Sequence, residues 1–80
     1  MHVLRPVDVA HMQVESAYPA GTIIWKVNSE PDDAHKDGAR GVVRGSVEQK
    51  GIVAYFIEWD DMPGIAIGTM GWKVKVARTE

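Results

Sequence analysis

Eighty residues, 45% hydrophobic and 25% charged, suffice for one globular domain, because two would each be too short to bury a core. Nine Lys and Arg against eleven Asp and Glu give a formal charge of −2, which excludes the strongly basic balance of a generic nucleic-acid binder. Without cysteine there is no disulfide framework and no Cys-based zinc site, and no apolar run reaches the length of a membrane span.

The opening "MHVLRPVDVAHM" is interrupted by Arg5, Pro6 and Asp8, unlike the core of a signal peptide, and a soluble, cytoplasmic chain is expected. Residues 1–20 read as an N-terminal extension or capping segment. Pro6 argues against a helix continuing through it, so a short strand or a segment lying across the rest is expected, with a turn or two of helix between Val7 and Val14 as the alternative. "AYPAG" then breaks the chain.

Residues 21–78 carry period-two patterning with β-branched and aromatic residues, the signature of strands. "GTIIWKV" places Ile23, Trp25 and Val27 on one face and Thr22, Ile24 and Lys26 on the other. "NSEPDDAHKDGA" is dense in turn formers and reads as a long loop. "RGVVRGSVEQ" is the next strand, with Gly41 and Gly45 allowing a bend or close backbone approach. "QKG" is a tight turn before "IVAYFIEW", in which Tyr55 and Ile57 share one face and Phe56 and Glu58 the other. "DDMPG" reverses the chain into "IAIG", and "TMGWKVKVA" reads as the last strand, with Trp72, Val74 and Val76 on one face.

Several short strands at this spacing predict an all-β fold, a small SH3-like barrel of about five antiparallel strands, since closure removes exposed sheet edges. An open sheet completed by dimerisation is the alternative. A core this small supplies only about 3–5 kcal/mol, so self-association is expected.

The succession of strand, long acidic loop, Gly-rich strand, tight turn, strand, Pro-Gly turn and strand resembles SH3-like barrels in general. "DGARGVV", with Gly38, Gly41 and Val43, is similar to the KOW motif of ribosomal proteins and transcription elongation factors. The block "YFIEWDDMPG" resembles a strand end found in small bacterial proteins, some carried on mobile gene cassettes such as those of integrons. The same hairpin is similar in its Tyr, Glu and Pro-Gly spacing to the type II dihydrofolate reductases, which assemble around a shared pore. Their Val-Gln-Ile-Tyr run is replaced here by Ile65, Ala66, Ile67 and Gly68, so the resemblance implies an oligomer but not the reductase activity. "YFIEW" also resembles a strand of chromodomain and Tudor modules, which implies an aromatic cage made from Tyr55, Trp59 and Trp25.

Catalytic chemistry finds little support. His2, His11 and His35 lie in the N-terminal piece or the long loop, and Ser16, Ser29 and Ser46 lack a nucleophile-elbow context. Asp60 and Asp61, adjacent at a turn, are expected to accept backbone N–H groups rather than act as a carboxylate pair. Asp33, His35 and Asp37 alternate like the start of a calcium loop, but the twelfth position is Arg44 where a Glu is required, and neither metal nor cofactor is expected.

The aromatic residues are more informative. A domain of this size buries some of Trp25, Tyr55, Phe56, Trp59 and Trp72 and leaves one or two at the surface, with Trp59 expected there beside Asp60, Asp61 and Met62. The expected function is a non-enzymatic, self-associating binding module whose surface joins the long loop to the turn at residues 60–62. Its candidate residues are Trp59, Asp60, Asp61, Met62, Tyr55, Trp25 and His35, and its expected partner is a second copy or another protein. One alternative is an enzyme or small-ligand site shared between subunits. Another is a KOW-like RNA- or ribosome-associated module using Arg40, Arg44, Lys73 and Lys75.

Overall fold

A computed structural model describes residues 4–77 of the chain. Five strands form one antiparallel sheet: β1 (Ile23–Lys26), β2 (Arg40–Gln49), β3 (Ile52–Trp59), β4 (Ile67–Met70) and β5 (Val74–Val76). Their order in the sheet is β4-β3-β2-β1-β5, and the two end strands are joined through a single 3-10 turn, Gly71–Lys73. The fold is all-β and compatible with an SH3-like barrel. Among the described residues no helix is long and apolar enough to cross a membrane.

Local chemistry explains the joints. β2 and β3 meet in a two-residue turn in which Lys50 and Gly51 both have positive φ, 54° and 79°, as a hairpin matched to strand twist requires. Register shifts between Val43 and Gly45, leaving Arg44 as an extra residue in β2. That bulge reverses the inward parity: Gly41 and Val43 face the interior before it, and Ser46 after it. The kink brings Gly45 against the N-terminal segment, where a Cβ would lie 2.5 Å from the Val9 carbonyl oxygen.

The N-terminal segment contains one turn of helix, α1 (Pro6–Val9), with Pro6 in its first turn. The helix begins at Pro6 and does not continue through it, and the alternative of a short helix between Val7 and Val14 is realised as one turn at Pro6–Val9. A first-turn residue has no intrahelical acceptor for its N–H, so proline loses nothing there. The segment lies across the sheet. Val9 is fully buried, the Met12 carbonyl accepts the Ser46 N–H at 3.0 Å, and the Ser46 hydroxyl accepts the Val14 N–H at 2.8 Å. Tyr18 stacks on Tyr55 at 5.4 Å and donates its N–H to the Tyr55 hydroxyl.

The core is Ile24, Val43, Tyr55, Ile57, Trp59 and Val74. Alternation along β3 sends Tyr55, Ile57 and Trp59 inward together. Trp59 is 1% exposed, so its expected place at the surface is overturned. The ring fits because its strand partner is Gly41, where a Cβ would meet Ile57 at 2.5 Å and the Trp59 ring at 3.0 Å. The expected last strand is also revised. Thr69 and Met70 belong to β4, and Trp72 lies in the 3-10 turn, 54% exposed, rather than on a face with Val74 and Val76. The chain must turn a corner there to cross from the β3 side of the sheet to the β1 side.

Candidate functional site

Four polar side chains are buried among the described residues: Lys26, His35, Ser46 and Thr69. Ser46 is engaged by the N-terminal segment. The other three line a single cleft of about 150 Å³, together with Asp33, Trp59 and Lys73. Burying a charged or polar group costs free energy unless it is paired, so three in one place mark a built site.

The cleft forms where the long loop folds back over the open end of β1. Lys26 is the last residue of β1 and follows Ile24 on the inward face, so its ammonium is carried into the interior. The loop is closed at its neck by Lys26 N–H to the Ala39 carbonyl and Gly38 N–H to the Lys26 carbonyl. Within it, Asp37 accepts the Ser29 N–H at 2.8 Å, and Asp33 accepts the Glu30 N–H at 3.0 Å. These bonds fold the loop so that Asp33 meets both Lys26 and Lys73, each at 2.9 Å. Lys26 donates also to the Ser29 hydroxyl at 2.7 Å, and Lys73 reaches the exposed Glu30 at 3.4 Å. The Glu30 N–H, then the two ammonium groups, hold the Asp33 carboxyl far below the ordinary carboxylate range. In turn Asp33 raises the ammonium of Lys73. Asp33 therefore stays anionic and Lys73 cationic across neutral pH, and the carboxylate bridges the Lys26 and Lys73 side chains.

His35 closes one side. Its ring stacks on Trp59 with centroids 4.5 Å apart and planes at 18°. Its Nε2 lies 2.8 Å from the Asp61 carboxylate, which can only accept, so that nitrogen carries the shared proton. Trp59 itself supplies part of the cleft wall, and its indole N–H is buried without an acceptor among the described residues.

The expected meeting of the long loop with the turn after β3 does occur, through His35 to Asp61 and a two-oxygen contact of Arg40 with Asp60 at 3.0 and 3.1 Å. Asp60 and Asp61 thus hold side chains, not the backbone N–H groups expected of them. Glu58 takes that role, accepting the Gly64 N–H at 2.8 Å and the Arg44 side chain at 2.7 Å, and both donors lower its pKa. Met62 is half-buried and stands outside the cleft wall. No aromatic cage forms: Tyr55 and Trp59 face the interior, while Trp25 is 40% exposed on the opposite face of the sheet. Nor do the four basic residues form one patch. Lys73 belongs to the cleft and Arg44 pairs with Glu58, whereas Arg40 and Lys75 flank Trp25 on neighbouring strands. Asp33, His35 and Asp37 are turned toward three different partners. Arg78 and His2 lie outside the described residues.

Two residues that sequence reading left unassigned belong to this site. Lys26 carried a signal, since it sits in phase with Ile24, whereas nothing about Thr69 distinguishes it from a surface threonine. No protein-family profile, curated protein or solved structure matches the chain.

Proposed function

We propose that this chain is a non-catalytic binding module, and that its ligand enters the cleft between the long loop and β4. The observation that carries this reading is the convergence of Lys26, His35 and Thr69, three of the four buried polar side chains, on one cavity of about 150 Å³ beside an indole N–H with no acceptor. A catalytic reading has less support, because the one carboxylate lining the cleft is held between two ammonium groups and the imidazole is engaged by Asp61.

The test is an amide and indole N–H titration of the labelled protein against a panel of small acids, amines, alcohols and short peptides. Saturable changes should cluster on Ala34, His35, Gly68, Thr69, Met70 and the Trp59 indole. Binding that maps only to Trp25 and Trp72 would move the function to the outer face.

That outer face favours a second reading. Trp25 stands between Lys75 and Arg40 across three strands, an aromatic flanked by two cations, as single-stranded nucleic-acid surfaces often are. This reading requires retention on RNA at low salt that weakens as salt rises and is lost in Trp25→Ala.

A further inference from the structure

We infer that the cleft is a carboxylate site, made for a small acid with a short apolar tail. The inference rests on the binding-module reading and adds the chemistry of the ligand.

Several donors in the cleft have hydrogen-bonding capacity left open. Asp33 Oδ2 takes the Glu30 N–H, Lys26 and Lys73, and Oδ1 takes a second contact from Lys73, so most of this carboxylate is already engaged by the protein. Lys26 has three N–H groups and two partners. One partner of Lys73 is Glu30, at 3.4 Å and with its side chain 64% exposed, a long contact that a better acceptor can replace. The buried Trp59 N–H has no partner among the described residues.

Charge points the same way. Two ammonium groups and one carboxylate line the cavity, and the second anion of Lys73, Glu30, stands outside that lining and largely in water, where an entering anion can take its place. An entering amine would bring a third cation beside the two ammonium groups. The remaining wall includes Ala34, Ile67 and Met70 beside the stacked His35 and Trp59 rings, which suits a few methylene or methyl groups. A cavity of about 150 Å³ confines the ligand to a small acid, or to the last residue of a peptide.

The first experiment follows the indole N–H signals of Trp25, Trp59 and Trp72, assigned with Trp25→Phe and Trp72→Phe, during addition of sodium propionate. Sodium chloride at equal ionic strength, propanol and propylammonium chloride serve as comparison titrations, and a peptide ending in a free alanine carboxylate is a separate arm. The Trp59 signal should move saturably with propionate alone among the small probes. A response to the peptide stronger than to propionate assigns the carboxylate to a chain terminus, and the reverse assigns it to a free acid. Lys73→Met should weaken the response about tenfold or more, the size of a lost charge-assisted hydrogen bond. The wild-type titration decides the matter even if that variant does not fold. A Trp59 signal that answers propanol or propylammonium and ignores propionate overturns the carboxylate assignment and leaves the binding module standing. Silence toward every probe in the panel overturns both.

Discussion

Trp59 is 1% exposed and touches the core, the cleft and His35, whereas Trp72 keeps 54% of its surface in water. Truncating a buried Trp costs about 3–5 kcal/mol, as much as a domain of this size holds. Trp59→Ala should therefore unfold the protein, seen as loss of the strand signal in far-ultraviolet circular dichroism. Trp72→Ala should stay within about 0.5 kcal/mol of the parent in urea denaturation. The same contrast explains a misplacement in the sequence reading. Alternation that sends Tyr55 and Ile57 inward also sends Trp59 inward, but its neighbours Asp60 and Asp61 suggest a rim. What outweighs that suggestion is a residue 18 positions earlier: Gly41, whose missing side chain leaves room for the ring.

Among the elements, α1 and β2 meet at a close backbone joint. A methyl group at Gly45 would meet the Val9 and Met12 carbonyl oxygens at 2.5 and 3.1 Å, and backbone cannot yield as a flexible side chain does. Gly45→Ala should cost about 1–3 kcal/mol and expose residues 4–20 to proteolysis before the sheet itself unfolds. Limited digestion followed by mass analysis checks it, and cleavage no faster than in the parent would show that the contact is dispensable. Gly45 was legible as a point of bending or close approach, and the "QKG" turn as a hairpin, because glycine chemistry is local. The N-terminal turn of helix was legible only as one of two alternatives, since its stability comes from Val9 packing on a bulge that forms only once β2 pairs with β3.

For the whole molecule, charge placement sets the response to pH. The carboxyls of Asp33, Asp37 and Glu58 are all held below their ordinary range, first by backbone N–H groups and then by side-chain donors. A lowered carboxyl adds stability above its unfolded value, and that stability is lost as pH falls through the folded value. Lys73, raised by Asp33, adds stability below its unfolded value of 10.5 and loses it as pH climbs through its higher folded value. Stability should thus be level through neutrality and decline below about pH 4. Urea midpoints measured across that range test the decline. At neutral pH, Asp33→Asn should lower the midpoint more than Asp37→Asn, because it leaves Lys26, 4% exposed, without its anion.

By itself the sequence determined the strand content, the long loop, the tight hairpin and the near-even charge, because period-two patterning, turn formers and glycine act over a few residues. Tertiary structure decided which aromatic residues are hidden and how the charges are used. Lys26 reads as a lysine in phase with Ile24, Asp33 as part of a metal-like run and Lys73 as a base on a strand. They become one buried bridge only when a loop of about a dozen residues closes over β1 and the 3-10 turn carries Lys73 to meet it. Such contacts join positions 7 and 40 residues apart, a separation at which no local pattern in the chain specifies a partner.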